Sequence, residues 1–155
     1  MTPRSQVQAT FAVEQFVAAS PAQVFHAYSD AQTKAQWFGG PPAEGAQASL
    51  DFREGGSEVN VGAPGDGPVY GFFCRFHDIV PNERIVSTYE MTMDGARISV
   101  SLVTTEFEPR DGGTLVRHIE HAVFLDGHDT AEIREGGTKW LLGALADHFK
   151  AQAAA

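Results

Sequence analysis

Residues 130–150 read Thr130-Ala131-Glu132-Ile133-Arg134-Glu135-Gly136-Gly137-Thr138-Lys139-Trp140-Leu141-Leu142-Gly143-Ala144-Leu145-Ala146-Asp147-His148-Phe149-Lys150. Ile133, Gly137, Trp140, Leu141, Ala144, Leu145, His148 and Phe149 recur at helical spacing, so the stretch predicts a helix with one apolar stripe. It is the longest helix in the chain, and its stripe has to be covered. The only partner large enough is the run from Gln47 to Phe124, which is strand and turn throughout. A long C-terminal helix closing over a sheet is therefore the organising feature of the fold.

Working upstream, Thr114 to Phe124 is the last strand, preceded by a turn over Pro109 to Gly113. Ile98 to Glu108 and Arg84 to Met93 are joined by Asp94-Gly95, a strong two-residue hairpin signal. Val69 to Val80 carries Tyr70, Phe72, Phe73 and Phe76 and turns at Pro81-Asn82-Glu83; shorter strands lie around Leu50-Phe52 and Glu58 to Val61. Connections this short imply an antiparallel meander. Val7 to Val17 is a first strand. Ser20-Pro21 then starts a helix carrying Val24, Phe25 and Tyr28 on one face. Asp30 caps a second, short helix ending near Trp37-Phe38, and Gly39-Gly40-Pro41-Pro42 stops it. The result is an α+β helix-grip fold: a curved antiparallel sheet wrapped on the C-terminal helix, with two short helices after the first strand.

The 155 residues fit one domain, with an ordered core of about 7–150 and an Ala-rich tail at 151–155. The 43% hydrophobic content supplies a core, and 20 acidic against 11 basic residues give a net charge of −9. That charge argues against nucleic acid and anionic membrane surfaces as partners. No apolar run approaches the ~20 residues of a membrane span, and Met1 to Gln6 lacks a signal-peptide core. A soluble, cytoplasmic protein is expected. Cys74 is the single cysteine and reads as a buried small hydrophobe. The six histidines show no metal-binding spacing, there is no G-x-S-x-G, and the Gly-rich turns do not open helices after strands. Neither metal nor cofactor is expected.

A helix across a curved sheet tends to leave a cavity, and a cavity with convergent polar groups is the default binding site. The polar candidates are His118 and Glu120, two apart on the last strand and so on one face. A buried Glu beside a His can share a proton, which suits acid–base work on an enolisable substrate. They can equally be a structural pair. Simple alternation would bury Leu115, Ile119 and Val123 instead and expose His118 and Glu120. Trp37, Phe38, Phe72, Phe76, Tyr89 and Trp140 are candidate pocket walls or plain core, with Trp37 and Trp140 the stronger candidates. Gly136-Gly137 inside a helix costs ~1 kcal/mol per Gly; a close backbone approach to a strand, or room for a ligand, would compensate. Ile98, Val100 and Leu102 oppose Val103, Thr105 and Phe107 on one strand. Both faces cannot pack under one helix, so a homodimer is expected.

Several strings resemble one family: Ser20-Pro21-Ala22-Gln23-Val24-Phe25, Trp37-Phe38-Gly39, Ile79-Val80-Pro81-Asn82-Glu83-Arg84-Ile85-Val86, Gly113-Thr114-Leu115-Val116 and the run His118 to Gly127. In order and spacing they are similar to the START-like (SRPBCC, Bet v 1-like) superfamily. Within it they resemble a bacterial subgroup of the family of the activator of Hsp90 ATPase C-terminal domain. The resemblance implies that Val116, His118 and Glu120 face the grip interior. It implies a small-molecule binding protein with an apolar, aromatic or lipid-like ligand under the C-terminal helix. The alternatives it implies are a cofactor-independent polyketide cyclase or aromatase using His118 and Glu120, and a chaperone-associated interaction module. The first strand starts within ten residues, leaving no room for the cochaperone's N-terminal domain, so Hsp90 is not the expected partner.

Overall fold

In the computed structural model, residues 3–39, 46–63 and 66–153 are described. The stop signal at Gly40-Pro41-Pro42 and the last two residues of the Ala-rich tail lie outside them. Strand β1 (Gln6–Val17) is followed by helices α1 (Pro21–Ser29) and α2 (Ala31–Lys34). Six strands come next: β2 (Gln47–Leu50), β3 (Ser57–Gly62), β4 (Tyr70–Val80), β5 (Arg84–Met93), β6 (Ala96–Arg110) and β7 (Gly113–Leu125). Helix α3 (Ala131–Ala153) ends the chain. The strands form one antiparallel sheet in the order β1-β7-β6-β5-β4-β3-β2. The first strand crosses to pair with the last, and everything between is a meander. This is the helix-grip arrangement the sequence predicts.

Local chemistry explains the corners. Ser20 accepts from the Gln23 amide while the Gln23 side chain accepts from the Ser20 amide, a reciprocal capping box with Pro21 in the first turn. Asp30 ends α1 and caps α2 through the Thr33 amide. The β5–β6 hairpin turns on Asp94 (φ 51°) and Gly95 (φ 84°), left-handed at both central positions as a primed turn requires.

The inner face of the sheet carries Phe11, Val13 and Val17 of β1, Cys74 and Phe76 of β4, Ile85 and Tyr89 of β5, Val103 and Phe107 of β6, and Val116 of β7. From α3 come Leu142, Leu145, Ala146 and Phe149. The opposite face leaves Phe73, Val100 and Leu102 exposed, as the alternation along β6 predicts, but Ile98, expected with them, is 3% exposed, at the point where the β5–β6 register shifts.

Two expectations about α3 are corrected. The buried face runs through Thr138, Leu142, Leu145, Ala146 and Phe149, rotated from the stripe read in the sequence. Trp140 is 67% exposed and Ile133 66% exposed, so Trp140 lies on the solvent side and is no wall of the interior. The sequence stripe followed the largest apolar side chains, whereas the helix turns a mixed face carrying Arg134 and Thr138 inward. Gly136 and Gly137 approach no strand either: a Cβ at either position would meet nothing within 4 Å.

Candidate functional site

Beneath the first turns of α3, strands β5, β6 and β7 turn polar side chains inward. Ser99, Ser101 and Glu120 are fully or almost fully buried, and Tyr89 is 8% exposed. Glu120 is the hub. Its Oε2 accepts from the Tyr89 hydroxyl at 2.5 Å and from the Ser101 hydroxyl at 2.7 Å. Its Oε1 pairs with His118 Nε2 at 2.8 Å. Arg134, from the first turn of α3, donates to the Tyr89 oxygen at 2.7 Å and to Ser99 at 2.8 Å, and lies 3.5 Å from Glu120 Oε2. Asp129, just before the helix, holds the same guanidinium through Nε at 3.2 Å and Nη2 at 2.8 Å. The guanidinium also sits over the rings of Tyr89 and Phe124.

A carboxylate removed from water needs donors or a cation, and here it has both. Burial pushes the Glu120 carboxyl up, but hydrogen bonds from His118, Tyr89 and Ser101 outweigh it and hold the group below its ordinary value. Glu120 is thus an anion. Burial and the neighbouring Glu120 charge raise the Tyr89 phenol, which stays protonated and donates. No buried side-chain nitrogen or oxygen among the described residues lacks a partner.

His118 and Glu120 therefore lie on the inner face, and the His118 side chain is 16% exposed while that of Glu120 is 1% exposed. Plain alternation points the other way because the inner face of β7 is built for a polar cluster. The aromatic candidates divide. Tyr89 belongs to the polar cluster as a donor and stacks near Phe72, with centroids 4.8 Å apart. Phe72 contacts Phe38, and Phe38 contacts Trp37. Trp37 is buried and donates its indole N–H to the Ala27 carbonyl at 3.0 Å. Phe76 packs against Phe52. This aromatic row runs from the polar cluster toward α2, and Trp140 is outside it.

Sequence reading missed Arg134, Asp129, Ser99 and Ser101. The available signal was a charged residue four before Thr138 and eight before Leu142, on the buried side of α3. It also missed a second buried pair, Lys34 Nζ to Glu58 Oε1 at 2.6 Å, under the rings of Phe38 and Tyr28. Beside it Cys74 is buried, and its thiol is pushed up to about 11 by burial and the Glu58 charge. Among the described residues no cluster of His, Cys, Asp and Glu could hold a metal ion. No helix is long and apolar enough to cross a membrane. One concavity of about 320 Å³ lies across β3 to β6 and includes Phe73 and Val100; another, of about 470 Å³, lies between α1 and the last turns of α3. Neither is lined by His118, Glu120 or Arg134.

A seven-stranded antiparallel sheet gripping its C-terminal helix, with short helices after the first strand, is the START-like arrangement. The family described as activator of Hsp90 ATPase homolog 1-like protein matches residues 18–150, and the chain belongs to it. The fold is close to that of an uncharacterized protein from Rhizobium leguminosarum, at 39% identity and a TM-score of 0.90, covering 96% of this chain and 99% of that one. The Mll3558 protein from Rhizobium loti is 41% identical with a TM-score of 0.85, covering 93% and 99%. DynU16, a protein of the dynemicin biosynthetic locus, shares the fold at 20% identity and a TM-score of 0.64, over 91% of this chain and 47% of that one. No curated protein matches the chain.

Proposed function

We propose that the protein binds a small, partly apolar molecule between α3 and the inner face of the sheet, without a cofactor. One observation carries this reading: small hydroxyl side chains and an anion are set among the aliphatic and aromatic residues of the grip interior. Ser87, Ser99, Ser101, Thr105 and Thr138 are all buried, together with Glu120. A core built only for stability would fill these positions with Leu, Ile or Val. The aromatic row from Tyr89 to Trp37 supplies apolar surface next to this polar floor. The family and its fold support ligand binding or cyclase-like chemistry in general terms.

The test is native mass spectrometry of protein purified from its own host, followed by thermal shift with aromatic alcohols and fatty acids. A carried-through small molecule, or a Tm rise lost on altering the inner face, is expected. A clean apo mass with no Tm response across both sets would remove the reading.

A second reading, cofactor-independent acid–base catalysis, is favoured by the His118–Glu120 contact at 2.8 Å. An ionised carboxylate on an imidazole is the pairing that orients a general base. It calls for a pH–rate profile that depends on His118. The homodimer expected from the sequence would use the outer face, where Phe73, Val100 and Leu102 are exposed, and gel filtration tests it.

A further inference from the structure

In the polar cluster under α3, Glu120 binds Tyr89, Ser101, Arg134 and His118, and one edge lies where His118 meets β6. His118 Nε2 lies 2.8 Å from a carboxylate oxygen that can only accept. In the neutral imidazole that contact puts the proton on Nε2 and leaves Nδ1 as a lone pair. Opposite His118, in register on β6, stands Thr105. Directly opposed residues of an antiparallel pair hold their Cβ atoms about 4.5–5.5 Å apart on one face. Neither His118 Nδ1 nor the Thr105 hydroxyl has a hydrogen-bond partner among the described residues. The His118 side chain is 16% exposed and Thr105 is 5% exposed, and no fully buried side-chain nitrogen or oxygen among the described residues is unpaired. An acceptor and a hydroxyl thus stand side by side at the His118 edge of the cluster. Apolar surface flanks them on the other side: Phe11 stacks on the imidazole at 6.3 Å and 16°, and Val13 is the β1 partner of His118.

The geometry points to a subsite for a ligand hydroxyl, phenolic or enolic, that donates to His118 Nδ1 and accepts from Thr105 Oγ1. This inference rests on the binding reading above and narrows its substrate class to molecules with an O–H at the end of an apolar body. A ketone or ether in the same place lacks the proton that Nδ1 needs. A carboxylate would add a second anion within reach of Glu120. Glu120 acts here as a positioning residue: it fixes the tautomer without touching the ligand. Arg134, Tyr89 and Ser101 keep it ionised so that it does so. If the bound hydroxyl is an enol, Nδ1 is also the atom placed to take its proton, with the positive charge on the imidazole facing Glu120.

The test uses 2-naphthol and 2-methoxynaphthalene, in which a methyl group replaces the hydroxyl proton, titrated by calorimetry and followed by two-bond ¹H–¹⁵N correlation of the histidine rings. In the free protein His118 is expected as the Nε2–H tautomer, and Glu120→Gln is expected to release that preference. 2-Naphthol should bind and shift Nδ1. The methyl ether should bind about tenfold more weakly, the loss of one good hydrogen bond. Thr105→Val, which keeps the side-chain shape and removes the hydroxyl, should bring 2-naphthol down to the ether. Equal binding of both probes, unmoved by Thr105→Val, leaves the binding reading standing and overturns the hydroxyl subsite. An Nδ1–H tautomer in the free protein overturns the subsite whatever the probes do. Binding of neither probe overturns the subsite for this ligand class. With no thermal response to fatty acids as well, the binding reading falls too.

Discussion

Lys34 and Glu58 meet at 2.6 Å with both side chains more than nine-tenths buried, joining the last residue of α2 to the inner face of β3. The ammonium also faces the Phe38 ring at 4.6 Å. Removing one partner strands a charge out of water, which costs about 3–5 kcal/mol; replacing both with apolar side chains of similar size is near neutral. Lys34→Met alone should therefore lower the urea midpoint sharply, and Lys34→Met with Glu58→Leu should restore most of it. A single mutant as stable as the parent would show that the pair contributes little to the α2–sheet junction.

Glu120 gives the stability a defined pH dependence. Its carboxyl lies below the ordinary 4.5 in the folded state. Under that pH the unfolded chain holds more protons on this group than the native one, so stability rises with pH there. The contribution is complete above about pH 4.5 and is lost as pH falls through the folded value. Unfolding measured across this range should fall more steeply with acid for the parent than for Glu120→Gln. Parallel curves would contradict the assignment of Glu120 as a native anion.

The two tryptophans report different places. Trp37 is 4% exposed and Trp140 is 67% exposed. Acrylamide should quench only the Trp140 part of the emission, and Trp140→Phe should leave a blue-shifted, protected spectrum. Because Trp140 is 67% exposed, Trp140→Ala should change stability by no more than about 0.5 kcal/mol. A loss several times larger would mean that this face of α3 is covered in solution.

Cys74 should be inert in the native state. Burial and the Glu58 charge push its thiol up to about 11, and the thiolate is the reactive form. Ellman's reagent at pH 8 should find almost no thiol in the native protein and one per chain in denaturant. Rapid native labelling would indicate that β4 opens readily beside the Lys34–Glu58 pair.

The outline of the fold was legible because its corners are chemical. The Ser20-Pro21 and Asp30 caps and the Asp94-Gly95 turn mark positions where the backbone has few choices. What the sequence did not yield was the rotation of α3. Ile133 and Trp140 are the residues an apolar stripe should contain, yet they face water while Arg134 faces the sheet. A guanidinium can be buried only when Asp129, Tyr89, Ser99 and Glu120 meet it, and those four lie on three strands and a loop. No local periodicity announces such a convergence. The same holds for β7: His118 and Glu120 look like outward residues until their partners on β5, β6 and α3 are known. The resemblance to a family placed them correctly where alternation did not.

The open surface over Gly136 and Gly137 makes α3 a helix of unequal halves. Residues 141–150 are anchored by Leu142, Leu145, Ala146 and Phe149, whereas the first turns carry two glycines that weaken the helix by ~1 kcal/mol each. The main buried anchors there are one guanidinium and Thr138, whose hydroxyl donates to the Arg134 carbonyl at 2.9 Å. Such a segment belongs to the low end of the local-unfolding spectrum. Amide exchange should accordingly run faster over residues 131–140 than over 141–150. Where that holds, opening of those turns takes Arg134 away from Glu120 and lets water into the interior while residues 141–150 stay packed.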